Sequence, residues 1–207
     1  MQFAAPSRRF SITLLPRIIS LSSPILWNMY KSPLLWLGYG TMSVMHELVI
    51  VFAKYVVGIP VLVLALVFFK LTKRRRLELA VFLAASVVIT VLLAKIAASA
   101  HQDPRPFVRD GVKPYFAHGR DNGFPSDHTT YSAVIAFVIM RYYRWLGITL
   151  AVVSLAIGSA RVIAGIHHGQ DIIAGFLIAA VGVVAGFVIT KMIKSQYLER
   201  KRASVSK

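Results

Sequence analysis

Five long apolar runs, separated by short polar segments, decide what this chain can fold into. They cover Met45 to Phe69, Leu77 to Ala100, Thr129 to Tyr143, Leu146 to Ile163 and Ile172 to Ile193. Inside hydrocarbon every backbone N–H and C=O must be satisfied within its own segment or a closed barrel, so such runs read as transmembrane helices. Apolar residues make up 57% of the 207 positions, which is too many for an ordinary soluble domain. The expected fold is all-α, a polytopic helical bundle of five spans. Pro60 should kink the first span. Glu47 and Lys54, seven residues apart on one face, should form a couple turned toward the bundle.

Residues 1–43 are basic, acid-free and broken by Pro6, Pro16, Pro24 and Pro33. They read as an interfacial helix or targeting segment, with a sixth span as the alternative. The chain has no cysteine, which excludes disulfide and thiolate chemistry. Its 24 Lys plus Arg against 8 Asp plus Glu give a formal charge of +16. The positives follow membrane topology and no nucleic-acid module is present, so nucleic acid is not an expected partner. Lys70, Lys73, Arg74, Arg75 and Arg76 crowd the first turn, Arg141 and Arg144 the second, and six more bases the carboxyl end. That bias places the carboxyl terminus in the cytoplasm and the other polar loops outside. Gly182 and Gly186 form a GxxxG pattern that suits close packing within the monomer, with a homodimer face as the alternative.

Three polar clusters fall on that outer side. One is Asp103-Pro-Arg-Pro, with Lys95 earlier in the second span; another is Phe124-Pro-Ser-Asp-His128; the last runs from Arg161 to Asp171. Ionisable groups at membrane depth mark function by default. The set offers Lys95, Arg105 and Arg161 as cations, His128 and His167 as titratable groups, Asp127 and Asp171 as carboxylates and Ser126 as a hydroxyl. Forked guanidinium groups suit phosphate oxygens. A histidine whose far nitrogen is held by a carboxylate can attack phosphorus, and a second can protonate the leaving oxygen. His167 and Asp171, four apart, meet on one helical turn. The inventory suffices for phosphate-ester hydrolysis without a metal. His101 and His118 read as interfacial residues, and His168 faces away from its neighbour. A metal site from His101, His128, His167 and His168 lacks a ligand spacing that would support it.

These clusters resemble the three signature motifs of the type 2 phosphatidic acid phosphatase superfamily. Lys95…Arg105-Pro106 matches the first, Pro125-Ser126-Asp127-His128 the second, and Ala160-Arg161…His167…Asp171 the third. The resemblance runs from about Phe52 to Ala185. Pro104 to Val108 and the Pro-Ser-Asp-His variant look most like bacterial undecaprenyl-diphosphatases linked to bacitracin resistance. The resemblance implies His167 as nucleophile, Asp171 as its orienter and His128 as general acid. It implies Arg105, Arg161 and Ser126 as phosphate ligands, and no metal cofactor. Three positions depart from the pattern. The family lysine falls on Ala98, so Lys95, one turn earlier, would have to reach further. The family glycine is Asp127, whose charge would orient His128 or an arginine. The serine before the arginine is Ala160, for which Ser159 is the available substitute.

The expected organisation is therefore a membrane-embedded lipid phosphatase domain over residues 44–195 and a basic cytoplasmic tail over 196–207. The expected activity is hydrolysis of undecaprenyl diphosphate at the outer face of the plasma membrane. A phosphatidate or phosphatidylglycerophosphate phosphatase is the alternative. From a different class, a lipid-phosphate binding or transport protein would need the cations but not the histidines.

Overall fold

The computed structural model describes residues 33–205, with side chains from Thr41 on apart from a few near the carboxyl end. The readings for residues 1–32 lie outside the described residues. Contacts divide the chain into two units, Met1–Ser43 and Val44–Lys207. The helical bundle and its polar loops belong to the second unit, and only α1 begins in the first. Every regular element among the described residues is a helix: α1 (Pro33–Lys54), α2 (Gly58–Lys70), α3 (Lys73–Ala100), α4 (Pro106–Arg109), α5 (Asp127–Met140), α6 (Arg144–Ile163) and α7 (Gly169–Val205).

Lys73–Ala100, Arg144–Ile163 and Gly169–Tyr197 are each long and apolar enough to cross a membrane. A fourth crossing is available if Thr41–Lys54 and Gly58–Lys70, bent by 47°, act as one broken span. The break falls a turn before Pro60, not at it. A proline cannot donate to the carbonyl four residues back and its ring crowds that carbonyl, here Val56. The Val56 oxygen instead accepts from Ile59 N–H at 2.9 Å, and Pro60 sits in the first turn of α2. The Glu47–Lys54 couple does not form. Glu47 lies 3.8 Å from His46 and is well exposed, while Lys54 Nζ stands 4.3 Å from the centroid of the Phe116 ring.

The helix on the third apolar run is short, like the run itself. α5 has 14 residues, about 21 Å of helix, against about 30 Å of hydrocarbon. It is also the most enclosed helix, in contact with α2, α3, α6 and α7. Its buried Ser132 hydroxyl meets the Ser154 hydroxyl of α6 at 2.8 Å, and Ser154 also donates to the Thr129 carbonyl. Such small polar residues let helices approach closely where no water drives them together. The GxxxG pair works within the chain in the same way. A Cβ on Gly182 would strike Thr90 and one on Gly186 would strike Ser86, both on α3. Leu79, Phe82, Val134, Val138 and Ala179 fill the centre of the bundle. Leu62, Phe69, Val88, Ile96 and Val184 are more than half exposed, a surface that suits hydrocarbon rather than water.

The direction of the helices sorts the chemistry. α3 and α6 end, and α5 and α7 begin, at one pole of the bundle. The loops 101–126 and 164–168 meet there. The other pole collects the start of α3, the turn between α5 and α6, and the basic half of α7.

Candidate active site

Two local structures deliver the third cluster. α6 ends in a Schellman motif: Ile166 N–H reaches the Arg161 carbonyl at 3.0 Å and Gly165 N–H reaches Val162 at 2.9 Å. The motif needs a left-handed residue, and Gly165 supplies it with φ +71. The chain reverses there, so His167 comes back over the end of its own helix. α7 then starts at Gly169, and Asp171 reaches back so that Oδ2 accepts the His168 N–H at 2.9 Å. This is half of a capping box. The same oxygen lies 3.2 Å from His167 Nδ1. Helix capping thus fixes the carboxylate, and the carboxylate fixes the ring.

Loop 101–126 is pinned by Asn122, whose Oδ1 accepts from Asp103 N–H at 2.9 Å while its Nδ2 donates to the Ala98 and His101 carbonyls. Arg105 leaves this clamp as the N-cap of α4, with a proline on each side. Its guanidinium is buried and bonds three ways: Nε to Asp121 at 3.0 Å, and one terminal nitrogen to the Ile166 carbonyl at 3.2 Å and to His167 Nε2 at 3.1 Å. Arg161 is also buried, giving one nitrogen to the Ala53 carbonyl and the other to His118 Nε2, each at 2.9 Å. Its Nε has no partner among the described residues, so a donor remains for a ligand.

Ser126 is wholly buried before α5. Its N–H bonds the Asp171 carbonyl at 3.1 Å, and its Oγ accepts from Thr129 Oγ1 at 3.3 Å. His128, in the first turn of α5, lies within the combined field of Arg161, His167, His118 and Arg105.

The electrostatics favour neutral imidazoles. Burial pushes His128 down to about 4, and those neighbouring charges add to the effect. His167 is lowered as well, mainly by burial. The Asp171 hydrogen bond opposes that shift, while Arg161 and Arg105 reinforce it. His118 is lowered by burial and then by Arg105 and Arg161. The hydrogen bond from Arg105 holds the Asp121 carboxyl below its usual range.

The structure thus brings Arg105, Ser126, His128, Arg161, His167 and Asp171 to one pole. It does not bring Lys95 among them. That side chain is exposed on α3 and forms no hydrogen bond or ion pair among the described residues. Asp127 is exposed in the first turn of α5, where a negative charge suits the helix dipole. It makes no hydrogen bond among the described residues, though its charge reaches Arg161. Ser159 is exposed beside buried Ala160 and does not take the missing serine's place.

Sequence reasoning missed His118, read as interfacial, and the network behind Asp171. Asp103 is buried and takes Arg109 at 2.7 Å, Gln170 at 2.6 Å and His168 Nδ1 at 2.8 Å. An aspartate at 103, beside the Arg105 motif in so acid-poor a chain, was the available signal. Asp103, His168 and Asp171 offer ligand atoms all within 4.8 Å of one another, a donor set that can hold a cation. In this structure Arg109 and Gln170 already engage Asp103.

Residues 77–195 match the PAP2 superfamily. The bacitracin transport permease protein BcrC of Bacillus licheniformis is 31% identical over 147 residues, covering 70% of this chain and 71% of that protein. The undecaprenyl-diphosphatase BcrC of Bacillus subtilis is 28% identical over 149 residues, covering 70% and 74%. Among solved structures, Aquifex aeolicus LpxE shares the fold with a TM-score of 0.55 and 24% identity, over 72% of this chain and 86% of that one.

Proposed function

The chain belongs to the PAP2 superfamily, and we propose that it is an integral membrane enzyme that hydrolyses undecaprenyl diphosphate to undecaprenyl phosphate through a phosphohistidine. The observation that carries this reading is the position of His167. Asp171 holds Nδ1 and leaves Nε2 directed at Arg105. A ring held in that way presents a lone pair on Nε2 to an anion that the arginines bind.

In the proposed first step, Nε2 attacks the terminal phosphorus and the bond from that phosphorus to the bridging oxygen breaks. His128 gives its proton to the departing lipid phosphate. In the second step water adds to phosphorus and passes a proton to His128, the P–N bond breaks, and inorganic phosphate leaves. Arg105, Arg161 and the start of α5 stabilise the charge on the phosphoryl oxygens. Because burial and the neighbouring charges push His128 down to about 4, its proton would depend on the substrate. A diphosphate among the guanidinium groups cancels the positive field and makes the protonated form available.

The reading extends to topology. Five crossings, with α5 as a short one sheltered by its neighbours, put the loops 101–126 and 164–168 outside and the carboxyl terminus in the cytoplasm. The bent α1–α2 pair then serves as the first crossing. The domain spans residues 44–195.

Purified protein in detergent should release phosphate from a polyprenyl diphosphate in the presence of a chelator, and His167→Ala should not. Quenched wild-type protein should carry an acid-labile, base-stable phosphoryl group. A higher specificity constant for phosphatidate or phosphatidylglycerophosphate would move the substrate assignment within the same chemistry. Tight binding of lipid phosphate with no release by the wild type would favour a binding or transport protein.

A further inference from the structure

The pole opposite His167 carries a basic cavity. A cavity of about 450 Å³ opens there between the start of α3, the α5–α6 turn and α7. Arg75, Arg141, Lys191 and Lys194 line it, with Glu78 as its one carboxylate. Glu78 is already engaged, by Lys194 at 2.9 Å and by Arg74 at 3.9 Å. Arg75, Arg141 and Lys191 have no ion-pair partner among the described residues. Three cations without an ion pair, from three separate segments, therefore line one cavity.

Two of them are also held there. Lys191 Nζ sits 4.8 Å from the Phe187 ring centroid and the Arg141 guanidinium carbon 5.8 Å from the same ring. Phe82 meets Phe187 edge-on at 6.0 Å and is buried beneath it. Cation–π contacts hold like charges near each other that would otherwise spread apart. Topology alone asks only that bases lie at this end. It does not ask for a cavity with an aromatic floor and cations from separate helices on its walls.

We propose that this cavity binds the phosphate of an anionic phospholipid, with its headgroup among Arg75, Arg141 and Lys191 and its glycerol end against Phe187. The ligand chemistry is a phosphate that accepts several charge-assisted hydrogen bonds. The aromatic floor beside the cations favours a phosphate with an apolar attachment over a free ion. Basic pockets between helices recognise lipid headgroups in this way. The inference concerns the far pole and stands apart from the catalytic reading.

The test is the thermal unfolding midpoint of the full-length protein in dodecylmaltoside. It is titrated with dioctanoyl phosphatidylglycerol, dioctanoyl phosphatidylcholine and inorganic phosphate. Phosphatidylglycerol should raise the midpoint saturably, by about 3–5 °C, and phosphatidylcholine should not. Arg141→Gln with Lys191→Gln should abolish the rise. Lys73→Gln with Arg144→Gln removes the same charge at the same pole outside the cavity, and should keep it. Arg75→Gln, on another wall, should need several-fold more lipid for half the rise. All these side chains are exposed, so folding should survive. The proposal fails if phosphatidylglycerol does not stabilise the wild type, or if the two double variants respond alike. It also fails as a lipid site if the cavity variant loses the response to inorganic phosphate but keeps the response to lipid.

Discussion

A guanidinium nitrogen of Arg105 lies 3.1 Å from Nε2 of His167, on the side of the ring away from Asp171. On the proposed mechanism, the attacking nitrogen would thus face a cation that a substrate oxygen would also claim. That mechanism would link binding to activation: an anion that draws the guanidinium to itself would also free the lone pair.

Arg105 should accordingly tolerate no replacement by lysine. An ammonium keeps the charge but cannot bond Asp121, the Ile166 carbonyl and a phosphate from one planar fork. Arg105→Lys should lower kcat/KM by about 10- to 100-fold, or about 1.4–2.7 kcal/mol of transition-state stabilisation. Asp121→Asn, which only loosens the orientation of Nε, should cost less. Steady-state phosphate release on a polyprenyl diphosphate measures both.

Asp171→Asn separates the two tasks of that carboxylate. An amide oxygen can still accept the His168 N–H, so the start of α7 should hold. The charge that favours the Nδ1–H form and supports a positive ring is lost. kcat should fall by about 10²–10⁴, with a small change in KM and in the thermal midpoint. A large drop in midpoint would mean that Asp171 is structural first.

The third motif was readable because its chemistry is local. Arg161, Gly165, His167 and Asp171 are brought together by one helix end, one reversal and one helix start, all encoded within eleven residues. The short reach of α5 was readable, since Thr129 to Tyr143 is the shortest of the five runs, but its enclosure was not, because no periodicity reports which helices will surround it. Its length is set by the turn at Arg141, and its enclosure by four other helices. His118 was misjudged for a related reason. Its partner Arg161 is 43 residues away, and no periodicity reports a contact made by a folded loop. Lys95 erred the other way: a helical-turn argument keeps it near the right face but cannot turn an exposed side chain inward.

pH should act through the lowered imidazoles, and the sign is fixed. Burial holds both His128 and His167 below the ordinary histidine value of about 6.5 in the folded enzyme, His128 at about 4. In that window the unfolded chain binds more protons than the folded one, so stability rises with pH. Their contribution is complete above about 6.5 and is lost as pH falls toward about 4, where His128 itself takes up a proton. The thermal midpoint should drop on going from neutral pH to pH near 4.5, and His128→Gln should make that slope shallower. By histidine NMR, the His128 resonance should titrate near 4 in the free protein and at higher pH with orthovanadate bound. An unshifted His128 in the free protein would remove the argument for a substrate-dependent proton.

Gly182 tests the packing that holds α7 against α3. A Cβ there would collide with Thr90 Oγ1 and press on its Cβ and Cα at 3.0 and 3.1 Å. Gly182→Ala should destabilise by about 1–3 kcal/mol, as overpacked interiors do. Adding Thr90→Ala removes the hydroxyl but not the backbone contact, so it should recover part of the loss. A double-variant midpoint no higher than the single would place the strain elsewhere.

Asp103 should prove to be a positioning residue for the nucleophile's carboxylate. It is buried beside Asp171 and is held by Arg109, Gln170 and His168. Burial favours its protonated form, but the Gln170 hydrogen bond, His168, a hydrogen bond with Asp171 and Arg109 outweigh that and keep its carboxyl below the usual range. Two buried carboxylates side by side repel, and the cations behind Asp103 make the pair tolerable. Asp103→Asn removes one negative charge but keeps the shape, so Arg109 keeps only its Asp110 ion pair and the field at His167 becomes more positive. The His167 titration should move further down, and kcat should fall by about 3- to 10-fold with KM nearly unchanged. Arg109→Gln should shift His167 the opposite way, because it removes a positive charge from the same network. A purely structural role for Asp103 would lower the thermal midpoint in both variants and leave the His167 titration where it was.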